Sequence, residues 1–290
     1  MRDALFYLKN IRSSSIMRVL FTCFFSLAFS CGVFAQGDLL IFPKRLVFEG
    51  VQERVQELYL NNNGRDTATY RLSYLEMRMY SDGQFENIER PDPGQQFASP
   101  YLRFYPRTIT LAPNETQAVK VQLTKTNELN SGEYRSHLYF RAVPKAESRQ
   151  EDKENDKRKE LKISLKPIYG ISIANIIQIG KPEVQVSISD LDFEMSNHSS
   201  PIISMNFNRR GKNSSYGDIR VRHISNKGKE TELSVIRGFA VYAPGNLRKA
   251  RIELKNVGEL DLSSGKLKVT YTSQGVGKTY AEATMNLKVL

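Results

Sequence analysis

Tryptophan is absent from the chain, and cysteine and histidine are scarce, at two and three residues. Each shortage excludes a kind of chemistry. Cys23 and Cys31 both fall in an N-terminal apolar run, so the chain beyond it offers no disulfide, no thiolate nucleophile and no Cys-ligated metal. His137, His198 and His223 stand apart, without paired or HExxH-like spacing, which leaves a zinc or nucleophile–base site unsupported. His137 sits inside an alternating strand pattern, where a packed or surface imidazole outweighs a catalyst. No glycine-rich phosphate loop and no G-x-S-x-G elbow occurs, and no carboxylate pair stands out from the rest. Without tryptophan, a carbohydrate-binding row of exposed aromatics is a poor fit. These shortages point away from an enzyme, and no cofactor or metal is expected.

The N-terminus is set apart from the rest. Residues 19–34, VLFTCFFSLAFSCGVF, form an apolar run after Arg18 and before Ala35-Gln36. A basic flank, a short apolar core and small residues before a cut are the parts of a secretory signal. The run is shorter than the roughly 20 residues of a comfortable membrane span. Cleavage is expected after Ala35, giving 1–35 as signal peptide and a periplasmic location. Cys31 leaves a lipoprotein reading open, although Ala28-Phe29-Ser30 matches it poorly, and Met17 is an alternative start. The expected leader holds four cations and one anion, so the net charge of +11 falls to +8 without it. That charge fits either a solvated basic surface or a groove for a carboxylate. Nucleic acid is not an expected partner for an exported chain.

Helical periodicity is scarce, and short alternating runs recur between turn residues. In the first half they are 39–50, 55–62, 67–80, 101–113, 117–123, 135–144 and 161–179. In the second half they are 183–189, 202–208, 218–224, 233–242, 250–255, 266–272 and 279–290. About seven short strands per half is the arithmetic of a sandwich, repeated. The expected fold is all-β, two immunoglobulin-like β-sandwich domains in tandem, 36–180 and 181–290, with the boundary near Gly180-Lys181-Pro182. An internal echo links the halves: Leu129-Asn130-Ser131-Gly132-Glu133-Tyr134 resembles Leu262-Ser263-Ser264-Gly265-Lys266-Leu267. Tyr134 matches a tyrosine corner, whose hydroxyl holds backbone groups at a bend, while Leu267 has no hydroxyl.

One segment raises a functional question. The charged run KAESRQEDKENDKRKE, 145–160, leads straight into LKISLK, 161–166, where Leu161, Ile163 and Leu165 alternate with Lys162, Ser164 and Lys166. A sandwich strand with one buried face would read the same way. Beside a charged loop, the row also reads as an open sheet edge that a partner covers. Burial of three such side chains contributes roughly 5–9 kcal/mol gross, at about 1.5–3 each.

Over residues 39–180 the chain resembles the periplasmic chaperones of pilus and fimbria assembly, which lend a strand to incomplete pilin subunits. Four segments carry the resemblance, in order: 43-PKRLVFEG-50, 106-PRTITLAPNETQAVKVQL-123, 132-GEYRSHLYFRAVP-144 and 161-LKISLK-166. The second half is similar only in size and strand content. The resemblance implies a non-enzymatic chaperone in which Leu161, Ile163 and Leu165 fill the groove of a pilin-like subunit by strand addition. It implies that Arg45 holds the subunit's terminal carboxylate; on its own, Arg45 also reads as a solvated edge charge. It further implies delivery to an outer-membrane usher and possible self-association through the donor edge. The family's second basic residue would fall at Gly170, which cannot supply it. Lys166 has the matching parity but lies four residues earlier, about 13 Å along a strand. Pro167 removes an N–H from the same segment. A structural or adaptor protein with the same sandwich pair and no donated strand is the alternative reading.

Overall fold

The computed structural model describes residues 39–144, 168–195, 200–258, 260–275 and 277–287. The expected leader, the charged run and the expected donor residues Leu161, Ile163 and Leu165 lie outside them. The described chain folds as two β-sandwiches in tandem.

The first sandwich uses β1 (Leu39–Phe42), β2 (Arg45–Glu49), β3 (Val55–Asn62), β4 (Ala68–Leu75), β5 (Met77–Met79), β6 (Phe85–Asn87), β7 (Leu102–Tyr105), β8 (Thr108–Leu111), β9 (Thr116–Leu123), β10 (Gly132–Val143) and β11 (Gly170–Ile179). One sheet runs β1-β3-β9-β7 and faces a second, β2-β11-β10-β4-β8. Period-two alternation fills the space between them. Leu58 and Leu60 of β3 and Val119 and Val121 of β9 turn inward, against Leu138 and Phe140 of β10.

Two runs that read as single strands, 39–50 and 101–113, each break at a proline and change sheets. β1 pairs with β3, but after Pro43 the same chain continues as β2 beside β11. β7 pairs with β9, but after Pro106 it continues as β8 beside β4. A proline has no N–H to give a ladder, so the pairing ends where it stands. The run 67–80 also divides, into β4 and the short β5. The loop between β3 and β4 is held by Asn62, which is fully buried. Its amide donates to the carbonyls of Asp66 at 2.8 Å and Leu111 at 3.1 Å, and its oxygen accepts the Gly64 N–H at 3.0 Å.

The second sandwich uses β12 (Gln185–Glu194), β13 (Ile202–Arg210), β14 (Ser215–Ile224), β15 (Glu230–Val241), β16 (Leu247–Glu253), β17 (Lys266–Ser273) and β18 (Thr279–Asn286). Its sheets run β12-β13-β16 and β15-β14-β17-β18. Phe207, Phe239 and Tyr271 form its aromatic centre, with ring centroids 4.7–5.9 Å apart.

The two echoed bends are held differently. The Tyr134 hydroxyl accepts the Asn130 N–H at 2.9 Å, four residues back, as a tyrosine corner requires. Leu267 is wholly buried core. There His223 of β14 donates from Nε2 to the Ser264 carbonyl at 2.9 Å and holds the bend from outside it.

Gly180, between β11 and β12, has φ +85°, a conformation open to glycine. The sandwiches meet through Val47, Ala174 and Ile176 on one side and Tyr216, Ala240 and Tyr242 on the other, with Met79 against them. The β5–β6 hairpin bridges the pair: Phe85 packs edge-on to His137 at 5.4 Å, and the Ser81 carbonyl accepts the Lys249 N–H at 2.6 Å. Arg135, 3% exposed, donates to the carbonyls of Met77 at 3.3 Å and Ala243 at 3.4 Å and stacks on Tyr242, 4.3 Å from its ring centre.

Candidate functional site

β11 runs antiparallel to β10 over its whole length, from Gly170 opposite Arg141 to Ile179 opposite Gly132. On its other side β2 runs parallel to it, but only from Ala174 to Gln178. Among the described residues, no strand pairs with that side of Gly170–Ile173. The reason is the sheet change at Pro43. Continuing the β2 register backward would put Phe42 beside Ile171, but Phe42 pairs with Tyr59 in the opposite sheet. The chain that would cover this edge has been carried away, so among the described residues no strand pairs with its main-chain groups.

The side chains of this edge form a graded row. Ile173 and Ile177 are buried in the first core. Ile171, on the same face, is 38% exposed, and Tyr169 is 75% exposed. Leu161, Ile163 and Leu165 share this parity and belong to the undescribed segment before it.

Arg45 is the first residue of β2 and lies beside Ala174. Its guanidinium crosses to the second sandwich and stacks on Tyr216, 3.8 Å from the ring centre. Half-buried, it has no carboxylate within ion-pair distance among the described residues. The ring faces one side of the cation, and the N–H edges remain for an acceptor. Burial raises the phenols of Tyr271 and Tyr280. The arrangement offers a lone cation beside an unfinished sheet edge, suited to holding an extended chain and an anionic group.

Gly170 is not the neighbour of Arg45. It lies four residues up the strand, opposite Arg141, and a Cβ there would sit 2.3 Å from Cε2 of Tyr139. Glycine at this place makes room for the Tyr139 ring. The β11 residue beside Arg45 is Ala174, 5% exposed, so this strand brings no second cation to that point. His137, opposite Ala174, is buried between the sandwiches as a packing residue. Tyr216 went unnoticed in the sequence because it reaches Arg45 from the other sandwich. No local pattern marks a contact between residues 171 positions apart. Among the described residues, no group of three or more His, Cys, Asp or Glu side chains is placed to hold a metal ion.

No protein-family model matches the chain, and no curated protein does. Several solved structures are similar to it. The CupB2 chaperone of Pseudomonas aeruginosa is 12% identical, with a TM-score of 0.40 over 86% of this chain and 100% of that one. The class 5 fimbriae chaperone CfaA is 13% identical, with a TM-score of 0.38 over 87% of this chain and 99% of that one. A Salmonella enterica structure, the SafA pilin in complex with the SafB chaperone, is matched at 11% identity and a TM-score of 0.37 over 87% and 97%.

Proposed function

We propose that this protein is a periplasmic assembly chaperone, without enzymatic activity, that holds a pilin-like subunit by lending it a strand and then passes it to an outer-membrane usher. The observation that carries this reading is the uncovered side of Gly170–Ile173, with Ile171 and Tyr169 exposed on the face that Ile173 buries. Added residues on such an edge gain main-chain hydrogen bonds, and alternate side chains enter the partner's groove. The row extends by parity through Leu165, Ile163 and Leu161, the residues that resemble the family's donor segment. Arg45, with its free N–H edges in the cleft, takes the subunit's terminal carboxylate. A structural adaptor that never donates a strand is the competing reading. Gly170, where the resemblance calls for a second basic residue, and Pro167, which has no N–H, are what favour it.

Co-expression with a pilin-like subunit that lacks its last strand tests the reading. Ile163→Asp and Ile171→Asp are each expected to abolish co-purification while leaving the free chaperone folded by circular dichroism. Undiminished capture by both variants refutes strand donation.

A further inference from the structure

Arg45 is supplied by the first sandwich, but the surface it rests on comes from the second. Its guanidinium carbon lies over the ring of Tyr216, 3.8 Å from the centre. Arg45 opens β2 directly after the sheet change at Pro43, and its ladder begins there, beside Ala174. A long side chain at a strand end keeps most of its rotamers unless another group holds it.

Tyr216 is well placed to hold it, because its own ring is fixed from several sides. On β14 it pairs with Ala240 of β15, and it packs on the interface cluster with Ala174, Ile176 and Tyr242. Its hydroxyl reaches Gly238, which has φ +72° and where a Cβ would sit 2.9 Å from the hydroxyl oxygen. The Asp218 carboxylate accepts the Gly238 N–H at 3.0 Å and keeps that backbone in place. Glycine at 238 thus gives the ring room to lie where Arg45 meets it. A ring against the guanidinium face leaves the in-plane N–H groups for an acceptor. A carboxylate approaches in that plane and takes two parallel N–H bonds. The ring also removes rotamers that a free arginine would lose on binding, which favours the bound state.

We propose that Tyr216 is a positioning residue for the anion site at Arg45, so that the second sandwich orients the cation that the first supplies. The inference rests on the reading of Arg45 as the partner of a subunit's terminal carboxylate. Every polypeptide ends in that group, so the proposal asks nothing of the subunit's composition. Capture then depends on both sandwiches, although the strand edge belongs to the first alone.

The test titrates the full chain with a strand-lacking pilin-like subunit bearing a free C-terminus, and with the same subunit amidated there. The wild type is expected to hold the free acid about tenfold more tightly than the amide. Tyr216→Leu keeps an apolar side chain at the interface and should cut that advantage to about twofold. Tyr216→Phe keeps the ring and should leave the advantage intact. In Arg45→Ala the advantage should vanish, and adding Tyr216→Leu should change nothing more, because a positioning residue acts only through the cation. Gly238→Ala offers a second route that retains the tyrosine. It crowds the Tyr216 hydroxyl and should lower the advantage, and Tyr216→Phe should restore it. Equal weakening of acid and amide by Tyr216→Leu would mark a structural role and overturn the proposal. An undiminished advantage in both Tyr216→Leu and Gly238→Ala overturns it as well, while leaving Arg45 as the carboxylate's partner. Equal binding of acid and amide by the wild type sinks the Arg45 reading and this proposal with it. Full capture by Ile171→Asp and Ile163→Asp sinks strand donation.

Discussion

Glu133 of β10 accepts two hydrogen bonds from Ser214 in the second sandwich, one from its backbone N–H at 2.7 Å and one from its hydroxyl. Both residues are buried, and the same hydroxyl accepts the Ala243 N–H at 2.9 Å. One carboxylate thus organises the loops of the second sandwich from the first. Glu133→Ala leaves a buried donor unpaired and should destabilise the protein by about 3 kcal/mol. The shift in urea midpoint reads this directly, and a loss below about 1 kcal/mol would show that water replaces the carboxylate.

Arg45 should matter far more to binding than to folding. Its stacking on Tyr216 is worth about 1 kcal/mol at a partly exposed site. Arg45→Ala should therefore move the unfolding midpoint little, yet weaken capture of a subunit with a free C-terminus by about tenfold or more. Amidating that C-terminus should weaken wild-type binding and leave the variant unchanged. If amidation affects both proteins alike, Arg45 is not the carboxylate's partner.

His137 gives stability a pH dependence of definite sign. Burial, reinforced by the neighbouring Arg135 cation, pushes its imidazole down to about 3, and among the described residues its Nδ1 has no hydrogen-bond partner. The unfolded chain takes up a proton near pH 6.5 that the folded protein refuses. The resulting stability is complete above pH 6.5 and is lost as pH falls toward 3, by about 1.4 kcal/mol per unit. Glu76, raised by burial, works in the opposite direction, so the measurement must be a difference. His137→Phe should gain on the wild type steadily between pH 6 and pH 4. Parallel stability curves would mean that the imidazole is solvated in solution.

Gly170 should tolerate no side chain while Tyr139 stays in place. A Cβ at 170 falls 2.3–2.5 Å from three atoms of the Tyr139 side chain. Gly170→Ala is expected to push the half-buried Tyr139 ring aside, at a cost of about 1 kcal/mol. Combined with Tyr139→Ala the penalty should largely vanish, a coupling that a double-mutant cycle measures. Additive effects would place the ring elsewhere.

The strands were legible because alternation is local: Leu58 and Leu60, or Val119 and Val121, declare an inward face within a few residues. Tyr134 was legible for the same reason, since its hydroxyl reaches only four residues back. Pro43 was visible, but its consequence was not. A proline announces that a ladder stops, not which sheet the chain joins next. The packing of His137 between Phe85 and Tyr242 was equally hidden, because its neighbours come from distant strands.

Taken alone, the sequence determined the all-β composition, the strands and their inward faces, and the scarcity of catalytic groups, because each depends on residue type and short-range periodicity. Tertiary structure decided which edge stays bare and that Arg45 meets Tyr216. Those relations arise from sheet order and register, which long-range pairing sets, and no short window of residues contains them.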